Sequence, residues 1–100
     1  MVEELVAWYE RHRVALDERQ IAAVLARSPD DGRDKASAWI RFDRGALEAE
    51  VIVWDTGECE LWGPLRDQPT PGTDPRAEHR QLRTTENLHA AVERALSCFA

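Results

Sequence analysis

Lysine is almost missing from this 100-residue chain: Lys35 is the only one among 13 basic residues. Arginine replaces it everywhere else, the bias of a GC-rich genome. Apolar runs are short, and none approaches the roughly 18–20 residues that a bilayer span requires. Cysteine occurs only at Cys59 and Cys98; without a CxxC spacing, a zinc knuckle and a dithiol redox motif are both excluded. Free buried thiols in a reducing compartment are the reading that remains. The acidic start, Met1-Val2-Glu3-Glu4, is the reverse of a signal peptide's basic one, so a cytoplasmic protein is expected. Also missing are the GxSxG, HExxH, P-loop and GxGxxG patterns that place a nucleophile, a metal or a phosphate. Present instead are 43% hydrophobic and 32% charged residues, a globule's balance, with a net charge of −6. That charge disfavours nucleic acid and anionic lipid and suits a neutral or basic partner. A single domain over 1–100 is expected from the length.

The periodicities alternate between helix and strand. Val2, Leu5, Trp8, Tyr9, His12, Ala15 and Leu16 share one face of a helix over Val2 to Arg19. Beyond Leu16 the phase is lost. Either a second short helix begins at Asp17, with a capping box to Gln20, or Ile21–Arg27 is a strand leading into the turn Ser28-Pro29-Asp30-Asp31-Gly32. The strand is the preferred reading. Lys35–Asp43, Ala46–Trp54 and Glu58–Leu65 each alternate with period two, separated by Arg44-Gly45 and by Asp55-Thr56-Gly57. Residues 66–76, with three prolines, read as a loop, and Ala77–Arg83 as a further polar strand. Thr84 or Thr85 then caps a last helix whose stripe is Leu88, Ala91, Val92, Ala95, Leu96 and Phe99. The fold class is therefore α+β: an antiparallel four- or five-stranded meander with an N-terminal and a C-terminal helix packed on one face.

Turn chemistry assigns the faces. A two-residue Arg44-Gly45 loop pairs Phe42 with Leu47, Ile40 with Ala49 and Ala38 with Val51, all apolar. A three-residue Asp55-Thr56-Gly57 loop with a G1 bulge pairs Val53 with Cys59 and Val51 with Leu61. The opposite face then carries Trp39, Arg41, Glu48, Glu50, Trp54, Glu58, Glu60 and Trp62. Arg41 opposes Glu48 in this register, and Trp39, Glu50 and Trp62 form a row. No helix remains to cover these residues. Two readings of the tryptophans stand side by side. In one they are partly buried, by the 66–76 loop or by cross-strand packing. In the other they are a protein-binding surface, since two or three tryptophans of about 150–250 Å² each exceed a monomer's usual apolar patch.

Candidate chemistry is thin. His12 on the apolar helix face reads as a satisfied core or boundary histidine. Glu78-His79-Arg80 looks like an acid–base cluster, but neighbours on a strand point to opposite faces. Glu48/Glu50 and Glu58/Glu60 are paired carboxylates that a divalent cation could use, yet they lack a calcium loop's other ligands, so a solvated acidic face is preferred. Neither a metal nor a cofactor is expected, and no catalytic residue is assigned.

The stretch Val51-Ile-Val-Trp-Asp-Thr-Gly-Glu-Cys-Glu-Leu61, after a helix bearing Trp8 and before Glu78-His79-Arg80 and a final helix, resembles immunity proteins of the TriTu type. The resemblance implies a small bacterial, cytoplasmic, non-enzymatic protein of a polymorphic toxin system. Its partner would be a cognate toxin domain, for this family an ADP-ribosyltransferase type that attacks elongation factor Tu. Neither nucleic acid nor membrane is an expected partner, and the chain is expected to be a monomer or weak homodimer. The competing class is a small acidic secretion chaperone, which would dimerise through a conspicuous apolar helix or strand. An enzyme removing ADP-ribose is disfavoured, because no acidic-loop and glycine-rich nucleotide site is visible.

Overall fold

The computed structural model describes residues 1–28, 36–64 and 77–99. Helix α1 (Val2–Glu18) leads into strands β1 (Ala22–Arg27), β2 (Ser37–Arg44), β3 (Leu47–Trp54), β4 (Glu58–Trp62) and β5 (Ala77–Gln81). Helix α2 (Thr85–Leu96) and a 3-10 turn (Ser97–Phe99) follow. The strands form one antiparallel sheet in the order β1-β2-β3-β4-β5, a meander with five strands, and of the expected Ile21–Arg27 stretch Ala22–Arg27 is strand rather than helix. The 66–76 loop, Lys35, Leu65 and most of the Ser28–Gly32 turn lie outside the described residues.

Both helices cover the same side of the sheet, α1 over β1 and β2, α2 over β3 and β4. Ala38, Ile40, Phe42, Ala49, Val51, Val53, Cys59 and Leu61 meet Val2, Leu5, Trp8 and Leu16 of α1, and Leu88, Ala91, Val92, Ala95, Leu96 and Phe99, in a single buried cluster. Alternation on the strands and 3.6-residue periodicity on the helices supply these positions, which is what a two-layer core needs. Ala15, expected on the apolar stripe, is exposed at the helix edge. His12 is half-buried: its ring stacks on Trp8 at 4.3 Å and its Nδ1–H donates to the Trp8 carbonyl at 2.8 Å. It is a satisfied boundary histidine.

The chain leaves α1 through a Schellman motif. The Ile21 N–H donates to Leu16 O and the Gln20 N–H to Asp17 O, both at 2.9 Å, with Gln20 in the left-handed region at φ 59°. At the other end, Thr84 Oγ1 accepts from the Asn87 N–H at 3.0 Å and Asn87 Oδ1 accepts from the Arg83 N–H at 3.1 Å, so α2 begins with a reciprocal cap.

One hairpin register differs from expectation. The β2–β3 loop is Gly45-Ala46, closed by Arg44↔Leu47, so Phe42 faces Ala49, Ile40 faces Val51 and Ala38 faces Val53. Gly45 takes φ 61° at the first central position, where a II′ turn wants glycine. The pairing moves by two residues, which leaves every side chain on the face assigned to it. The β3–β4 hairpin matches expectation: Val53 faces Cys59, Val51 faces Leu61, and Gly57 closes the loop at φ 90°.

Candidate functional site: the outer face of the sheet

All eight residues assigned to the helix-free face lie on it. Because the alternation holds across β2, β3 and β4, Trp39 and Arg41 share that side with Glu48, Glu50 and Trp54, and with Glu58, Glu60 and Trp62. The corrected register rearranges their rows. Trp39 faces Ile52, not Glu50, and Ile52 in turn faces Glu60. Arg41 faces Glu50, and Glu50 faces Trp62. The Arg41–Glu48 pair survives diagonally, with the guanidinium 2.9 Å from Glu48 Oε1, while Arg41 Nε lies 3.4 Å from Asp43. With both partners more than half exposed, solvent screens this pair and it adds little to stability.

The outer strands add residues that sequence patterning did not assign to the site. β1 brings Val24 beside Arg41 and Ala26 beside Trp39. β5 brings His79 beside Glu60, Ala77 beside Trp62 and Gln81 beside Glu58. Ile52 sits half-buried at the centre. The short alternation Ala22-Val24-Ala26 was the signal available for β1. For β5 there was none, because its face depends on a register set across the 66–76 segment.

The tryptophans are neither core nor free. Trp39 and Trp54 are half-buried and Trp62 is 36% exposed, among the largest exposed apolar side chains. Trp54, Glu58, Glu60, His79 and Gln81 border a shallow groove of about 490 Å³. Glu50 lies in the apolar part of the face, and burial pushes its carboxyl above the usual range; Arg41 opposes this shift and Glu60 adds to it. The arrangement is an apolar strip ringed by carboxylates. It offers shape and negative charge to a docking protein. Among the described residues no group of three or more His, Cys, Asp or Glu is disposed to hold a metal ion. Nor is any described helix long and apolar enough to cross a membrane.

Behind the face, Glu78 and Arg80 point the other way, toward the helices. Arg80 Nε lies 2.8 Å and Arg94 Nη2 3.5 Å from the Glu78 carboxylate, a half-buried structural pairing between β5 and α2. His79 on the opposite side takes no part in it, as strand geometry requires.

In comparisons with known proteins, the model of one family, immunity protein TriTu, matches residues 3–62. The matched stretch runs from α1 through β4 and contains all eight residues of the candidate face. No curated protein and no solved structure matched the chain.

Proposed function

The chain belongs to the TriTu immunity protein family, and from that premise we propose that it neutralises its cognate toxin by binding through the outer face of the sheet. The observation that supports this reading is a face with three tryptophans and Ile52, bordered by Glu48, Glu50, Glu58 and Glu60, that neither helix covers. Tryptophan anchors concentrate binding energy at interfaces, while surrounding carboxylates steer a basic partner and raise the association rate. The partner in this reading is an ADP-ribosyltransferase-type toxin domain that attacks elongation factor Tu, the class that the family resemblance implies. The protein acts in the bacterial cytoplasm by stoichiometric occupation, without catalysis.

The test is binding of the toxin domain encoded beside this chain's gene, with protection of cells that express it. Trp62→Ala removes an anchor worth about 2 kcal/mol or more, so the complex should dissociate roughly 30-fold faster. Glu58→Lys with Glu60→Lys should slow association, more at low salt than at high salt. If Trp39→Ala and Trp62→Ala variants with parental circular dichroism bind and protect like the parent, the toxin uses another surface.

A further inference from the structure

The two edges of the sheet are built differently. β5 carries Glu78, His79 and Arg80 in its five residues, the charge that natural edge strands use against unwanted pairing. β1 reads Ala22-Ala23-Val24-Leu25-Ala26-Arg27, with no charge before its last residue and no proline. The two most exposed large apolar side chains of the described structure flank this edge: Val24 at 59% on the outer face and Val14 at 64% on α1. Between α1 and β1 runs a groove of about 430 Å³ lined by Tyr9, Val14, Ala22 and Ala23, with Arg13 and Asp17 supplying one charge of each sign.

The free hydrogen-bonding groups of this edge can be named. The Ser28 N–H donates to Ser37 O at 2.9 Å, and these residues lie opposite each other in the β1–β2 register. An antiparallel ladder alternates, so Ala26, Val24 and Ala22 also bond toward β2. Ala23, Leu25 and Arg27 therefore turn their N–H and C=O groups outward, where no described strand meets them. This set is symmetric about Leu25.

We propose that the β1 edge pairs with the β1 edge of a second copy of this chain, antiparallel about a two-fold axis at Leu25, joining two sheets into one. Leu25 then exchanges both backbone bonds with Leu25 of the second copy, and Ala23 does so with Arg27 in each direction. Both faces match in this register. Leu25 lies beside its symmetry mate on the helix side, and Val24 lies beside Ala26 on the outer side, at the separation where directly opposed apolar pairs stabilise a sheet. Charge selects the occupant: the described charges along this edge are balanced, Arg13 with Asp17 in the groove and Arg27 paired with Glu3, whereas Glu48, Glu50, Glu58 and Glu60 lie on β3 and β4. An equally acidic second copy meets no like charge there, while a basic partner has no carboxylate row to find.

The experiment is hydrogen exchange by NMR and sedimentation on the full chain alone, over a concentration series, repeated with the toxin domain. Association with a dimer mass is expected, and the amides of Ala23, Leu25 and Arg27 should gain protection as concentration rises. Those of Val24 and Ala26 should be protected throughout. Ala23→Pro removes an outward N–H without touching the β1–β2 ladder, a substitution edge strands tolerate. Losing one donor per copy should weaken the dimer roughly 5- to 150-fold. Val24→Lys, at an exposed position, is the second variant and should also weaken it. A monomer at every concentration, with the three odd-numbered amides exchanging at a constant rate, overturns the proposal. Protection that appears only when toxin is added also overturns it and assigns the edge to the toxin.

Discussion

Gln20 stands where α1 ends in a left-handed residue, a position that glycine usually fills. At φ 59° an L-residue bears a cost of roughly 1–2 kcal/mol from the approach of its Cβ to the carbonyl oxygen. The side chain is exposed and hydrogen-bonds to none of the described residues, so removing it forfeits little. Glycine also widens the unfolded ensemble, which offsets about 0.4–1 kcal/mol of the gain. Gln20→Gly should therefore stabilise the fold by about 0.5–1 kcal/mol, which for a domain of this size raises Tm by about 2–8 °C. Urea denaturation followed by circular dichroism would show a higher midpoint at unchanged slope. The neighbouring Arg19, at φ −86°, is the control. Arg19→Gly has no strain to relieve and should destabilise by roughly 0.5–1 kcal/mol. A Gln20→Gly midpoint equal to or below that of the parent would refute the account of this cap.

Gly57→Ala should destabilise by more than about 2 kcal/mol, since its Cβ would lie 2.4 Å from the Leu82 carbonyl oxygen at a φ of 90°. Gly45→Ala, with open space around it, should cost less when both variants are compared by urea denaturation. Burial pushes the Cys59 thiol up to about 12, so native protein should release at most the half-buried Cys98 quickly to a disulfide reagent, with Cys59 reacting at the unfolding rate. A rapid two-thiol burst would contradict this. Burial raises the Glu50 carboxyl above its ordinary value, so the folded state favours its protonated form. Its contribution is fully present below the unfolded value and is lost as pH rises through the folded one. Glu50→Gln should consequently be more stable than the parent at neutral pH, an advantage that fades as pH falls through the raised folded value and is gone below the unfolded one; a pH-independent difference would argue against desolvation as the cause.

Faces were legible in the sequence, and turn details were not. Alternation along Ser37–Arg44, Leu47–Trp54 and Glu58–Trp62 places every side chain on one side or the other, so core and outer face followed directly. The β2–β3 register is not fixed by the sequence, because Gly45 fits a tight turn whether it is the first or second central residue. The two alternatives differ by two residues in pairing, a shift that leaves the hydrophobic pattern unchanged and so cannot be detected by it. Gly63 carried no signal either. Its need for glycine comes from the backbone of Glu48 and Ala49, which a Cβ would approach to 3.0 and 3.1 Å. His79 was missed as a neighbour of Glu60 for the same kind of reason: the side it faces is set by a long-range pairing.

The placement of charge separates the two surfaces proposed here. Glu48, Glu50, Glu58 and Glu60 lie on β3 and β4, in the middle of the sheet, and Arg41 on β2 offsets only part of their charge. Val24 and Ala26 on β1 interpose an uncharged border. A two-fold axis perpendicular to the sheet keeps both outer faces on the same side, so edge pairing through β1 leaves each acidic strip open to a toxin. Docking on the face is long-range and electrostatic in its approach, and is screened over a Debye length of about 8 Å at physiological salt. Pairing at the edge rests on backbone hydrogen bonds and apolar contact, which salt scarcely affects. Raising the ionic strength therefore separates the two associations without any substitution: toxin on-rates fall while the dimer persists.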